Sequence, residues 1–187
     1  SSYQVVYVTR SEIDVADLAK TEAKIAEIGP NILINACAYT AVDNAEKEKE
    51  AAYLINCLAV TNIANICKDI DCWLIHVSTD YVFDGYSEFP YTEEDKTNPQ
   101  GVYGYSKLKG ELGIKGSGCK YLIIRTAWLY SEYGNNFLKT MLTLGALHNE
   151  LKIVDDQIGC PTYAPDLAKA IVTTLPSLSP GHSSQVY

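Results

Sequence analysis

The chain reads as an α/β protein built on a doubly wound parallel sheet. Short continuous apolar runs such as Ile32-Leu33-Ile34 alternate with longer stretches whose apolar residues recur every three or four positions. The runs are apolar on successive residues rather than on alternate ones, which suits strands buried on both faces. Repeated strand–helix alternation implies parallel strands joined by right-handed crossovers.

Taken in order, residues 3–9 (Y-Q-V-V-Y-V-T) form the first strand candidate. Ser11-Glu12-Ile13-Asp14 supplies acidic capping residues for a helix running to about Ile28, and Gly29-Pro30 closes it. Ile32-Leu33-Ile34 is the next strand. After a loop over residues 39–44, a long helix is expected over 45–69, where Ala52, Ile55, Ala59, Ile63 and Ile66 fall on one face. Residues 73–77 give a strand, and the polar, proline-containing stretch 85–100 a loop. A helix carrying Tyr103 to Lys107 follows. Residues 121–126 read as a strand, 136–147 as a helix, 151–154 as a strand and 165–174 as a helix. The sequence carries no internal repeat and no low-complexity segment.

At 187 residues the length suits one medium domain, or one domain and part of a second. The net charge of −8, with no Lys/Arg stripe to offset it, argues against nucleic-acid binding. An anionic ligand must then be met by a few local cations or helix N-termini. No apolar run approaches the roughly 20 residues that span a bilayer, and no charged-then-apolar leader pattern is seen. The six cysteines (37, 57, 67, 72, 119 and 160) include no C-x-x-C pair, and the three histidines are scattered. Neither a zinc site nor a disulfide framework is suggested, and most cysteines read as small core residues in a reducing, cytoplasmic setting.

Tyr103-Gly104-Tyr105-Ser106-Lys107 is the most informative stretch. Residues four apart lie on one helix face, so an amine neighbours a phenol, stabilises the phenolate and lowers its pKa. Such a phenol serves as an acid or base near neutrality. Ile75-His76-Val77-Ser78-Thr79-Asp80 reads as a buried strand entering a polar turn, which brings a further hydroxyl, that of Thr79, to a strand end. Taken alone, a Y-x-x-x-K spacing is most often a solvated helix face.

Together these stretches resemble the extended branch of the short-chain dehydrogenase/reductase superfamily, whose members act on nucleotide sugars. Four further stretches sharpen the likeness: Asn35-Ala36-Cys37-Ala38-Tyr39-Thr40-Ala41-Val42-Asp43, Ser78-Thr79-Asp80-Tyr81-Val82-Phe83, Arg125-Thr126-Ala127-Trp128-Leu129-Tyr130 with Gly134-Asn135-Asn136-Phe137, and Asp155-Asp156-Gln157-Ile158-Gly159-Cys160-Pro161-Thr162. In this order they are similar to the dTDP-4-dehydrorhamnose reductase family. The resemblance implies a Rossmann-like fold, with residues 1–155 as the dinucleotide-binding part and 156–187 as the start of a substrate lobe.

The resemblance also implies roles. Tyr103 would donate a proton to the sugar C4 oxygen, Lys107 would lower the Tyr103 pKa and hold the nicotinamide ribose, and Thr79 would bond the carbonyl oxygen. Ala36, Ala38, Tyr39 and Thr40 would line the cofactor edge, and Asp14 and Val15 would meet the adenine. Arg10 would meet a 2′-phosphate and favour NADPH, with NADH use also open. Thr40, Val42, Thr79, Asp80, Tyr81 and Trp128 would contact dTDP-4-dehydro-L-rhamnose. The family admits Mg2+, although no ligand set is identifiable, and it admits a homodimer.

Two departures stand out. A dinucleotide-binding fold opens with a strand, a Gly-rich turn and a helix, and no G-x-x-G-x-x-G occurs here. The missing unit would be about 30 residues. Its strand is central, so the two leading strands are expected to lose their link to the others, and the sequence is expected to be a piece of a longer protein. The resemblance also leads one to expect most of the family's C-terminal lobe to lie outside these 187 residues. Two rivals stay open. One is a non-catalytic regulatory subunit of the methionine adenosyltransferase type, which resembles these reductases without keeping the R-T-A-W and D-Q-x-G-x-P-T runs. The other is an epimerase or dehydratase on another nucleotide sugar, where acidic residues usually flank the Thr and here only Asp80 does.

Overall fold

The computed structural model describes residues 3–178 and 183–187. Two compact units are present, one of the described residues up to Arg125 together with Ser183–Tyr187, the other beginning at Thr126.

The first unit is a four-stranded sheet in the order β1 (Ile32–Asn35), β2 (Trp73–Thr79), β3 (Lys120–Thr126) and β6 (Gln185–Val186). β1 runs parallel to β2 with Asn35 opposite His76, and β6 runs parallel to β3. β2 is buried on nearly every residue, including His76, Ser78 and Thr79, as suits a central strand covered on both faces. Helices α1 (Leu18–Ile28), α4 (Val60–Asp69) and α5 (Val102–Ser117) cover the sheet. Their core joins Ile25, Ile63, Cys67, Leu74, Ile114 and Ile123. Gly29 ends α1 with φ 57°, a left-handed cap that glycine adopts without a Cβ penalty.

The expected loss of the link between the strand at 32–34 and the later strands does not occur, since β1 hydrogen-bonds β2 directly. Residues 3–9 are not a strand. They are exposed, with Tyr7 82% accessible, and among the described residues no strand edge pairs with them. An apolar, β-branched run becomes a strand only when a partner satisfies its backbone. The first helix also starts later than the Ser11–Asp14 cap suggests. Asp17 is its N-cap, accepting from Lys20 N at 3.1 Å, while residues 9–14 form a turn closed by Glu12 N to Thr9 O.

The long helix expected over 45–69 is broken into α2 (Val42–Ala45), α3 (Lys49–Tyr53), a π-helical turn (Leu54–Ala59) and α4. A π turn inserts an extra residue into the helical ladder and shifts the faces around it, which three-and-four spacing cannot register. Its product is a buried Asn56.

In the second unit, β4 (Leu129–Tyr130) pairs in parallel with β5 (Thr162–Tyr163), and α6 (Phe137–Leu147) and α7 (Ala164–Thr174) accompany them. Asn136 caps α6, accepting from Lys139 N at 3.0 Å. Residues 151–154 are not a strand. Ile153 and Val154 line a largely apolar cleft of about 540 Å³ with Trp128, Phe137, Met141 and Pro161. A run lining a cleft carries the same apolar signature as a strand. No helix among the described residues is long and apolar enough to cross a membrane.

Candidate active site

β1 and β2 end at the same edge of the sheet because they are parallel and in register. Residues 36–40, following β1, and the 3₁₀ turn Asp80–Val82, following β2, therefore sit where ligands of open α/β sheets bind. Two glycines bring α5 to this edge. A Cβ on Gly104 would lie 2.1 Å from the Tyr81 carbonyl oxygen, and one on Gly110 2.2 Å from that of Asn56. Only glycine permits such approach.

Tyr103, in the first turn of α5, meets the Tyr81 ring edge-on with centroids 5.5 Å apart. Burial pushes the Tyr103 phenol above its usual pKa. A side-chain hydrogen bond with Thr79 pulls it back, and Asp80 and Tyr81 raise it further. Thr79 is buried at the end of β2. Its hydroxyl donates to Asp80 Oδ1 at 3.1 Å and accepts from Tyr81 N at 3.2 Å. Burial also raises the Asp80 carboxyl, chiefly against the opposing bond from Thr79.

Lys107 is only 2% exposed. Its Nζ turns into the sheet, donating to Val77 O at 2.7 Å and lying 3.3 Å from His76 Nε2. Desolvation lowers its pKa from 10.5 to about 8, with Glu111 acting the other way. The expectation that Lys107 depresses the Tyr103 pKa is therefore corrected. Among the described residues no hydrogen bond joins the two, and Lys107 is not among the groups that move the phenol. Helical spacing placed both on one face, but the long lysine stem carries its charge to the strand beneath. At neutral pH Tyr103 consequently keeps its proton, the form a proton donor needs.

Tyr39 is fixed by Asn56, which accepts from Tyr39 N at 2.9 Å and donates to Tyr39 O at 3.1 Å and Ser106 Oγ at 3.0 Å. Ser106 in turn donates to Tyr103 O at 2.8 Å, so one amide ties the β1 loop to the turn bearing Tyr103. Below Lys107, Glu111 is wholly buried. It accepts from Ser78 Oγ at 2.5 Å, Arg125 Nε at 3.1 Å and Arg125 Nη2 at 2.7 Å, while the guanidinium lies 5.0 Å from the Phe83 ring centroid.

The structure thus brings Tyr103, Thr79, Asp80, Tyr81 and Lys107 together. Ala36 and Thr40 are exposed, and Ala38, Tyr39 and Val42 partly buried, on the stretch after β1. Asp14 accepts from Ala16 N at 3.0 Å next to a partly buried Val15, and Arg10 is exposed in the turn at 10–12. Trp128 belongs to the second unit, 42% exposed with φ 47°, and a Cβ on Gly159 would lie 3.1 Å from its ring. Asn56, His76 and Glu111 were not singled out from sequence. The only signal available was a polar residue inside an otherwise apolar strand or helix face.

The family model described as the RmlD substrate binding domain matches residues 1–187. The dTDP-4-dehydrorhamnose reductase of Sinorhizobium fredii is 42% identical over 170 residues, covering 91% of this chain and 57% of the relative. That of Escherichia coli K12 is 48% identical over 144 residues, covering 77% of this chain and 48% of the relative. A crystal structure of dTDP-4-dehydrorhamnose reductase from Bacillus anthracis, solved in complex with NADP, superposes with a TM-score of 0.91 at 39% identity, over 99% of this chain and 64% of that one. The chain therefore spans about half to two-thirds of the length of these relatives.

Proposed function

This chain belongs to the RmlD substrate binding domain family, and from that premise we propose that it carries the proton-donating site of an NADPH-dependent reduction of dTDP-4-dehydro-L-rhamnose to dTDP-L-rhamnose. The observation that supports this most directly is a partly buried phenol, Tyr103, held in its protonated form beside the Thr79 hydroxyl at the carboxyl edge of a parallel sheet. Reduced nicotinamide, when bound, supplies the hydride to the C4 carbonyl carbon.

The chain's own residues do the rest. As the C4–O double bond becomes a single bond, negative charge grows on that oxygen, and Tyr103 gives it a proton while the Thr79 hydroxyl stabilises the charge. Preorganised groups act where charge develops: Tyr103 is held by packing against Tyr81, and the Thr79 hydroxyl, which donates to Asp80 in the ligand-free site, would turn its proton to the oxygen.

The residues suit the nicotinamide-ribose end of a dinucleotide, since Tyr103 offers a donor, Lys107 would offer another on turning outward, and Ala36 and Ala38 keep the β1 edge small. Tyr39 and Thr40 would line the same edge, Asp14 and Val15 would take the adenine, and Arg10 the 2′-phosphate that separates NADPH from NADH. Thr40, Val42, Asp80 and Tyr81 are the proposed sugar-nucleotide contacts in the first unit, with Trp128 in the second. No residue is proposed as a metal ligand. The division into a cofactor part over 1–155 and the start of a substrate lobe over 156–187, and a cytoplasmic setting drawn from the cysteine usage, belong to the same proposal.

The test is NADPH oxidation with dTDP-4-dehydro-L-rhamnose, in the wild type and in Tyr103→Phe. A positioned general acid is worth about 10²–10⁴ in rate, so Y103F should lose at least that factor while binding NADPH within a few-fold of wild type. Comparable turnover in Y103F refutes the role. A wild type that binds NADPH but never oxidises it with this sugar nucleotide favours the regulatory-subunit reading.

A further inference from the structure

The polar chain beneath Lys107 has a direction, and both of its ends are set by backbone. At one end the Cys37 N–H donates to Asn35 Oδ1 at 3.0 Å. A backbone N–H can only donate, so the oxygen of the Asn35 amide is committed there and its Nδ2 faces His76 Nδ1 at 3.2 Å. An amide NH2 can also only donate. His76 Nδ1 must therefore accept, and a neutral imidazole then carries its proton on Nε2, the atom 3.3 Å from Lys107 Nζ. Burial holds His76 well below its ordinary pKa, which keeps it neutral. At the other end Lys107 Nζ donates to Val77 O at 2.7 Å, and a carbonyl can only accept.

With both ends fixed, the link between His76 and Lys107 is complete only when the nitrogen of Lys107 accepts from His76 Nε2–H. An ammonium has no lone pair to do so, and would set two donors face to face. Besides His76, the titratable group that acts on this amine among the described residues is Glu111 on α5, itself paired with Arg125 of β3, and β1 carries no charged residue.

We propose that Asn35 and His76 are positioning residues whose one-way hydrogen-bond chain favours Lys107 as an amine accepting from His76, so that charging Lys107 requires it to turn away from His76. Its meaning for catalysis rests on the reductase reading, because a lysine poised to take up a proton as it turns outward would meet the ribose and phosphate end of a dinucleotide as a cation. The chain itself is a property of the protein without ligand, and it is tested there.

Two-dimensional 15N–1H NMR of the histidine rings should show wild-type His76 neutral and protonated at Nε2. In Asn35→Asp the carboxylate can accept from both Cys37 N–H and the ring, so the His76 proton should move to Nδ1. A purely structural role would not predict that reversal. His76→Gln can turn an amide oxygen toward Lys107, and a hydrogen bond to a charged group should then raise the proton affinity of Lys107 roughly tenfold or more, read from 15N-lysine titration. A wild-type Nδ1–H tautomer overturns the proposal, as does a Lys107 midpoint unchanged in H76Q. The wild-type tautomer alone decides the matter should either variant fail to fold. These readouts need neither NADPH nor sugar nucleotide, so a silent reductase assay and a failed chain are separate results.

Discussion

Replacing Lys107 by Met removes a buried amine that the fold disfavours charging, at a cost that depends on pH in a defined way. Lys107 binds its proton with a pKa of about 8 in the fold against the ordinary 10.5. That difference corresponds to roughly 3 kcal/mol of destabilisation whenever the group is charged in both states. Below about pH 8 the penalty is fully present. As pH rises from about 8 towards 10.5 the folded protein sheds the proton while the unfolded chain still holds it, so the unfolded state binds more protons and stability increases. Above 10.5 the penalty is gone. Met fills a similar volume and has no such dependence. It removes the Lys107 donor from the Val77 carbonyl, at a cost of about 1–3 kcal/mol that is the same at every pH. The absolute difference between the two proteins is thus a partial cancellation, but its slope is not. Urea unfolding at pH 7 and pH 9 should show wild type gaining roughly 1.3 kcal/mol on K107M. Cysteines and tyrosines that titrate in this range are common to both proteins and drop out of the comparison. A difference that stays constant, or that moves against wild type as pH rises, refutes the buried-amine assignment.

Glu111→Gln should be among the most damaging single changes, because it leaves the Arg125 guanidinium buried without its carboxylate. Breaking one side of a buried pair costs about 3–5 kcal/mol, read as a fall in the denaturation midpoint at constant m-value. Gly104→Ala should cost about 1–3 kcal/mol, since its Cβ would fall 2.1 Å from the Tyr81 carbonyl oxygen and α5 must back away. Gly116→Ala on the same helix meets nothing within 4 Å and should instead be neutral or stabilising by about 0.5–1 kcal/mol, so equal losses in the two variants would discredit the close-approach account.

The parts of the fold that were legible in the sequence are those whose signal is local. β2 and β3 announce themselves by short, mainly apolar runs, and Gly29 marks the end of α1 because a left-handed cap has few alternatives. Residues 3–9 and 151–154 carry the same apolar composition without becoming strands. Strand formation is a property of a pair, and composition speaks for one partner only. The fracture of the helix over 45–69 was hidden for another reason. The π turn at Leu54–Ala59 keeps every residue helical in type and changes only the register, which turns Asn56 inward to hold Tyr39 and Ser106.

The candidate site divides along the same line. Tyr103, Thr79 and Lys107 were legible because a four-residue spacing and a strand-end hydroxyl are short-range patterns. Their electrostatics were not, since the groups that set them are distant in sequence: His76 lies 31 residues from Lys107, and Asn35 lies 41 from His76. From spacing alone the lysine should acidify the phenol. In the fold the lysine reaches the strand instead, burial lowers its own proton affinity, and burial raises that of Tyr103. Both shifts oppose proton transfer from phenol to amine, so in the ligand-free site the phenol retains its proton. For the proposed reduction, which needs a proton delivered to oxygen, this division suits the chemistry better than a phenolate would. It also makes outward rotation of Lys107 the step that would change the acidity of Tyr103, because only a charged amine brought near the phenol lowers its pKa.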